Sequence, residues 1–290
     1  MTDTSKYLKE VLESRGDSKK ERQISVKKSI QARGIRGRTS PGRLRGIEPL
    51  LVSVASKALL RADSLVLDLG FGHSPITTRE LAQFLDTTVG PRRVIGVETD
   101  ALRAEKAREL FEKGEFLHAG FELEDHFPEG VALIRAMNIL RQYRPEEVEG
   151  AHRKWGRALK EGGYLIEGST DKSGAVMSAH LFRRQKDQLL REGLYFYTDF
   201  TRGFAPVLFR DVLPRDLRHG IHEGHLAFEF FQTWQKCWEA VRKEKSTPKD
   251  AFLASLEQMS ALGFLREYPS LAREGALLWT ASTMAQHIGL

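Results

Sequence analysis

At 290 residues, with 41% hydrophobic and 29% charged side chains, the chain can bury a substantial core, and its length suits one large α/β domain with additions. A single cysteine, Cys237, excludes an internal disulfide framework and a Cys-rich zinc site. No apolar run approaches the ~20 residues that cross a bilayer, and the polar N-terminus is unlike a signal peptide, so a soluble protein of the reducing cytoplasm is expected.

The formal net charge of +6 is unevenly placed, because residues 1–46 hold 13 Lys/Arg against 5 Asp/Glu while the remainder is slightly acidic. Within this N-terminal arm, residues 24–46 carry seven Lys/Arg, no acid and several Arg-Gly pairs. That composition predicts an extended segment that attracts phosphates, either an RNA-contacting arm or a solvated or membrane-surface tail without a specific partner. A helix follows over 47–61, where Ile47, Leu50, Leu51, Val54, Ala55 and Ala58 recur at helical spacing.

Strand-like and helix-like segments then alternate. Strands are predicted at 64–70, 92–99, 115–120, 131–138 and 163–169, with helices at 77–86, 100–114 and 144–162 between them. The order implies βαβ units with right-handed crossovers, hence an α/β fold with a doubly wound, mostly parallel sheet over 47–171. Residues 172–225 read as a helical, substrate-side insertion, with a helix at 175–193 and a strand at 194–200.

The remaining segment, 226–290, completes the core. A helix over 225–242 places Ala227, Phe230, Phe231, Trp234, Cys237, Trp238 and Val241 on one face, the pattern of burial on a sheet. Another, over 247–262, opens on a Thr247 cap with Pro248 in its first turn. Segments 263–269 and 275–281 read as a closing antiparallel strand pair, giving seven strands.

Chemistry concentrates in "LVLDLGFGHSPITTREL", residues 65–81. A glycine turn between strand and helix lets backbone approach a ligand and aims the helix N-terminus at it. A dinucleotide fingerprint requires a third glycine, and here Gly70-Phe71-Gly72 is followed by His73-Ser74-Pro75. Asp68, two residues before the turn, would repel a pyrophosphate and suit an ammonium group. Glu98, at the carboxyl end of the second strand, can accept both hydroxyls of a ribose.

With these residues in view the chain resembles the class I S-adenosylmethionine-dependent methyltransferases over roughly 47–171 and 247–282. "VLDLGFG" is similar to their first motif and "VIGVETD" to the second, and "FLHAGFEL", "LIRAMNIL" and "LKEGGYLIEGS" follow in the expected order. The resemblance implies S-adenosyl-L-methionine as cofactor. Asp68, Gly70, Phe71 and Gly72 would lie at its methionine end, and Glu98 with Thr99 at its ribose. Gly120 and Phe121 stand where relatives place an acid for the adenine, so the contact would come from Phe121, its backbone or Glu122. Arg135 and Asn138 become cofactor-carboxylate or acceptor contacts, or structural hydrogen-bonding groups. The Asn/Asp-Pro-Pro-aromatic motif of adenine- and glutamine-modifying relatives is absent, which removes support for those targets.

Other residues have two readings. His73 faces the cofactor or stacks over it, and Ser74 can cap the next helix with Pro75 at its first position. "HGIHEGH" (219–225) offers three imidazoles and Glu223, but without a second ligand cluster it reads as a loop at the acceptor pocket and no metal is expected. Tyr143 lines that pocket or anchors a helix. Glu167, Asp171 and the histidines of 219–225 are base candidates by topology alone, so no catalytic residue is assigned. The acceptor is RNA, protein or a small molecule, with the basic arm favouring RNA. The alternative is a non-catalytic nucleic-acid-binding protein on the same fold, and a nicotinamide-dependent oxidoreductase is disfavoured by the glycine pattern.

Overall fold

The computed structural model describes residues 39–58, 63–218, 225–265 and 269–287. Eight strands form one mixed sheet in the order β3-β2-β1-β4-β5-β6-β7-β8. The first five, β1 (Leu65–Leu69), β2 (Arg93–Glu98), β3 (Glu115–His118), β4 (Val131–Met137) and β5 (Leu159–Thr170), run parallel, and β6 (Val176–Gln185), β7 (Gln188–Thr198) and β8 (Ala276–Thr280) continue it as an antiparallel meander. The fold is the predicted α/β, doubly wound, Rossmann-like one, with eight strands in place of seven.

Helices cover both faces. On one lie α1 (Glu48–Ala58), α2 (Ile76–Val89) and α3 (Ala101–Leu110), where Leu50, Leu51 and Val54 of α1 and Leu81 and Leu85 of α2 close over Val66, Leu133 and Ile166. On the other, α4 (Pro145–Arg157) packs Val148, Ala151 and Trp155 against Leu67, Ile134 and Leu165. Farther along, α5 (Arg215–Arg218), α6 (Leu226–Val241), α7 (Pro248–Ala261) and α8 (Pro269–Arg273) follow, and α9 (Ala281–His287) ends the described chain. The α6 stripe is core as expected: Phe230, Phe231 and Trp234 are buried against Phe196 and Phe209, Phe230 stacks on Trp279 at 4.0 Å, and Cys237 is a buried free thiol. Thr247 caps α7 by accepting from the Asp250 N–H, with Pro248 next to it.

Three expectations are corrected. The helix predicted over 175–193 is the β6–β7 hairpin, so the first part of the insertion belongs to the sheet, and its helical residues among those described are the 3-10 turn Pro206–Val212 and α5. The hairpin's two-residue turn, Lys186-Asp187, has φ of 47° and 63°, the conformation that matches strand twist in tight hairpins. Secondly, the described residues of 263–269 supply no partner for β8. Gly263 to Leu265 are turn and coil, 266–268 lie outside the described residues, and β8 pairs with β7 from Gly193↔Thr280 to Tyr197↔Ala276. Thirdly, α4 ends at Arg157, because Leu159 is drawn into the sheet opposite Val131 and a bulge follows before Leu133↔Tyr164.

Of the basic arm, residues 24–38 lie outside the described residues, whereas its end is packed. Leu44 is buried, the Gly42 N–H donates to Glu80 Oε1 at 2.7 Å, and the buried Tyr195 hydroxyl donates to Gly46 O at 2.7 Å. No helix among the described residues is long and apolar enough to cross a membrane.

Candidate functional site

β1 lies between β2 and β4, and the chain leaves β1 and β4 toward opposite faces of the sheet. The crevice at the carboxyl ends of those two strands is the place where open α/β sheets bind ligands. The glycine turn borders it. Gly70 has φ 68° and donates its N–H to Val97 O at 2.7 Å, and Gly72 has φ 77°, both in the left-handed region that favours glycine. A Cβ on Gly70 would stand 3.0 Å from the Ile139 side chain. The Phe71 ring turns inward, edge-on to Phe116 at 5.4 Å, so the turn offers the crevice main chain and not an aromatic ring.

The two acids of the site have different surroundings. Asp68 is 2% exposed and both its oxygens are engaged: Oδ1 accepts from Arg135 Nε at 2.8 Å and Oδ2 from the Thr78 hydroxyl at 2.6 Å. Arg135, equally buried, donates its Nη2 to Thr77 O at 2.7 Å. This group pins the first turn of α2 to β1 and β4 and makes the floor of the crevice electroneutral. Glu98, also 2% exposed, instead joins two loops. Its Oε2 accepts from the Gly72 N–H at 2.8 Å and its Oε1 from the Thr99 N–H at 2.9 Å, so its carboxylate is fixed at the carboxyl end of β2, against the glycine turn.

The other predicted contacts are spread around this centre. Thr99 is exposed at the mouth, and Gly120 is half-buried after β3. Phe121 packs between Tyr143 and Trp155, at 5.5 and 5.0 Å between ring centroids, while Glu122 is turned away to an ion pair with Lys154. Asn138, in the left-handed region at φ 64°, ties the end of β4 to β5: its N–H donates to Gly168 O at 2.7 Å and its Oδ1 accepts from the Thr170 N–H at 3.0 Å. His73 is exposed, with Nε2 3.4 Å from Arg103 Nη2. Ser74 does not cap α2, whose N-cap is Pro75 without a side-chain hydrogen bond. Tyr143 accepts from Arg215 Nε on its main-chain oxygen at 2.6 Å.

Neither acid proposed as a base presents a free carboxylate. Glu167 is 1% exposed and faces His152 Nε2 at 3.3 Å. Burial opposes ionisation of Asp171, but Arg202, Ser173 and the Gly174 N–H outweigh it and hold its carboxyl below the usual range. His219, His222 and Glu223 lie outside the described residues, and His225 caps α6 by accepting from the Ala227 N–H at 3.3 Å.

Two groupings were not anticipated. The pin formed by Thr77, Thr78 and Arg135 had one legible signal, a lone cation inside the otherwise apolar strand "VALIRAM". The second is a buried row under α4 and α5, in which His180 Nε2 lies 2.8 Å from Asp216 Oδ1 and His180 pairs across the ladder with Glu167. Burial pushes the His180 imidazole below its ordinary value in spite of Asp216. For Asp216 itself burial works the other way, yet His180 and Arg191 hold the carboxyl well below the usual carboxylate range. No sequence signal joined these residues, which come from four separate segments.

No family model matches the chain, and no curated protein matches it. Among solved structures it is similar to an S-adenosylmethionine-dependent methyltransferase from Clostridium acetobutylicum ATCC 824, at 14% identity over 53% of this chain and 65% of that one, with a TM-score of 0.34. Similarity to the PH0226 protein from Pyrococcus horikoshii OT3 is 19% identity over 51% and 72%, TM-score 0.35. For the N-methyltransferase NodS from Bradyrhizobium japonicum WM9, in complex with S-adenosyl-L-homocysteine, the figures are 18% over 43% and 60%, TM-score 0.32. The chain spans 30% of the citrinin polyketide synthase CMeT domain and 46% of the plantazolicin methyltransferase BamL.

Proposed function

We propose that this protein is an S-adenosylmethionine-dependent methyltransferase whose cofactor lies across the Gly70–Gly72 turn. The observation that carries the reading is Glu98, a buried carboxylate fixed by the Gly72 and Thr99 N–H groups at the end of β2. A ribose presents two neighbouring hydroxyl donors, and a carboxylate held at this position of a doubly wound sheet is their complement. The turn suits a ligand lying directly on main chain, since both glycines are left-handed and the one ring in it points away. A pyrophosphate is served less well: Pro75 occupies the third-glycine position and supplies no N–H where α2 begins.

In this reading Glu98 binds the ribose and the backbone of 70–72 follows the methionine portion. Asp68 acts as a positioning residue, through Thr78 and Arg135, and not as a contact to the ammonium group. Asn138 holds the ends of β4 and β5 together at the side from which an acceptor would approach. The bound cofactor supplies a methyl group already activated by the sulfonium charge. The protein's own tasks are then to align the acceptor with that group and to exclude water.

Calorimetric titration with S-adenosylmethionine tests this. Micromolar binding is expected, with Glu98→Gln weakening it about 10- to 100-fold, the equivalent of a charged hydrogen bond of ~1.5–3 kcal/mol. Failure of the folded protein to bind, or unchanged affinity in Glu98→Ala, refutes the proposal. RNA binding without methyl incorporation from a labelled donor would favour the non-catalytic alternative.

A further inference from the structure

Arginines converge at the carboxyl ends of β4 and β5, beside the acceptor side of the proposed site and unused by the cofactor. Arg141 follows β4, and Arg43 belongs to the segment 24–46 with its seven Lys/Arg and no acid. Arg202 follows β7, Arg210 lies in the 3-10 turn Pro206–Val212, and Arg218 ends α5.

Two carboxylates stand among them, and each is held by arginines other than Arg141. Asp171 accepts from Arg202 Nη1 at 3.0 Å, from the Ser173 hydroxyl and from the Gly174 N–H, while its main-chain oxygen accepts from Arg43 Nε at 3.2 Å. Asp211 lies 3.6 Å from Arg210 Nε and 4.0 Å from Arg218 Nη2. Arg141 spends Nη1 on two uncharged oxygens, Thr170 O at 2.9 Å and Asn138 Oδ1 at 3.5 Å. No carboxylate comes within ion-pair distance of it among the described residues.

The local field is in positive surplus. Burial first, then the like charges of Arg218 and Arg43, push the Arg141 guanidinium below its ordinary value, and the opposing charges of Asp211 and Asp171 do not restore it. A half-buried cation of this kind gains from a multiply charged anion that relieves the repulsion and takes up its remaining donors. Guanidinium groups match the oxygens of a phosphate in both geometry and charge.

We propose that Arg141, flanked by Arg43 and Arg218, is a phosphate-binding site for the methyl acceptor, so that the acceptor carries a phosphate. It rests on the reading of this edge as the acceptor side. The phosphate belongs either to a nucleic-acid backbone or to a phosphorylated small molecule, and the experiment separates the two.

The full chain is titrated with a labelled single-stranded RNA of about 12 nucleotides, uridine 5′-monophosphate and inorganic phosphate serving as competitors. The expected result is that Arg141→Gln and Arg218→Gln each weaken binding about tenfold or more and lower the slope of log affinity against log salt by about one. Arg141→Lys retains part of the affinity. Arg93→Gln, at the opposite end of the sheet, leaves it unchanged. Binding of the mononucleotide but not of RNA, lost in Arg141→Gln, still supports the site and assigns a small phosphorylated acceptor.

Affinities unaffected by both glutamine variants overturn the proposal. So does a parallel loss of S-adenosylmethionine affinity in Arg141→Gln, since that would place Arg141 on the cofactor. Arg141-dependent phosphate binding in a protein that binds no S-adenosylmethionine would leave the phosphate site standing while the methyl-transfer reading falls.

Discussion

Replacing Asp68 by Asn tests the group beneath the glycine turn. Asp68 and Arg135 have side chains 3% exposed and lie 2.8 Å apart, so the substitution leaves a buried guanidinium hydrogen-bonded to Thr77 O and an amide, with the charge of Glu48 as its remaining electrostatic partner. Breaking a buried pair by removing one partner costs about 3–5 kcal/mol, two to four orders of magnitude in the folding constant. Thr78→Val removes only the hydroxyl bond to the carboxylate and costs about 1.5–3 kcal/mol. Removing both charges together, as Asp68→Leu with Arg135→Met, leaves neither ion stranded, and such replacements are often neutral. The double variant is therefore expected to be more stable than either Asp68→Asn or Arg135→Met alone. Urea unfolding followed by tryptophan fluorescence gives the four free energies of the cycle, those of the unsubstituted protein, Asp68→Leu, Arg135→Met and the double variant, with Asp68→Asn measured beside them. A cost below about 1 kcal/mol for Asp68→Asn, or a double variant that loses the sum of the singles, would refute the assignment of this pair as the pin.

Three further outcomes are expected. Gly70→Ala puts a side chain on a left-handed residue against Ile139, which costs about 1–3 kcal/mol and should lower cofactor affinity in calorimetry more than it lowers the unfolding midpoint. Deleting residues 39–46 in addition to 1–38 removes buried Leu44 and the acceptor of the Tyr195 hydroxyl; about 3 kcal/mol should be lost relative to deletion of 1–38 alone, measured by urea unfolding. The His180–Asp216 pair makes stability fall with acid in two windows. His180, lowered in the fold, costs stability as pH drops below the ordinary histidine value of 6.5, because the unfolded imidazole takes a proton that the buried one resists. Asp216, also lowered, contributes stability above its unfolded value near 3.8 that is lost at lower pH. A pH series of unfolding free energies on His180→Gln should lose the upper step, and an unchanged profile above pH 5 would contradict this account.

The legible part of the fold is the part where pattern and punctuation agree. From β1 to β5, apolar runs alternate with helical periods and glycine or proline marks the joints, so the parallel half of the sheet could be placed within a few residues. The β6–β7 hairpin could not. Val176 through Phe182 are buried on both faces, which erases the alternation that distinguishes a half-exposed strand. The charged stretch "RRQKDQLLRE" then imitates a helix, and its turn uses Lys186-Asp187 where a glycine or asparagine would have announced a hairpin. The missing helix is thus a strand pair whose signals are all of the less usual kind.

Within the site, Asp68 and Glu98 look alike in sequence, one acid near the end of each of two neighbouring strands, and only the sheet register separates them. Asp68 sits between Gly96 on β2 and Arg135 on β4 with another strand residue still to come, so its side chain is enclosed and finds its charge partner 67 residues away. Glu98 is the last residue of β2, beyond the point where β1 still pairs, and its bonds go to main-chain N–H groups of the loops at the mouth. Here the acid one residue inside a central strand balances the core, whereas the acid at the strand's end is held by the loops at the crevice. The lone arginine of β4 could have revealed this, since a cation in a central strand must be neutralised, and Asp68 is the acid opposite it on the neighbouring strand. The consequence is a division of effects: Asp68→Asn should act chiefly on the unfolding free energy, and Glu98→Gln chiefly on cofactor affinity. Were the two variants to lose affinity equally at unchanged stability, Asp68 would have to be reassigned from positioning α2 to contacting the ligand.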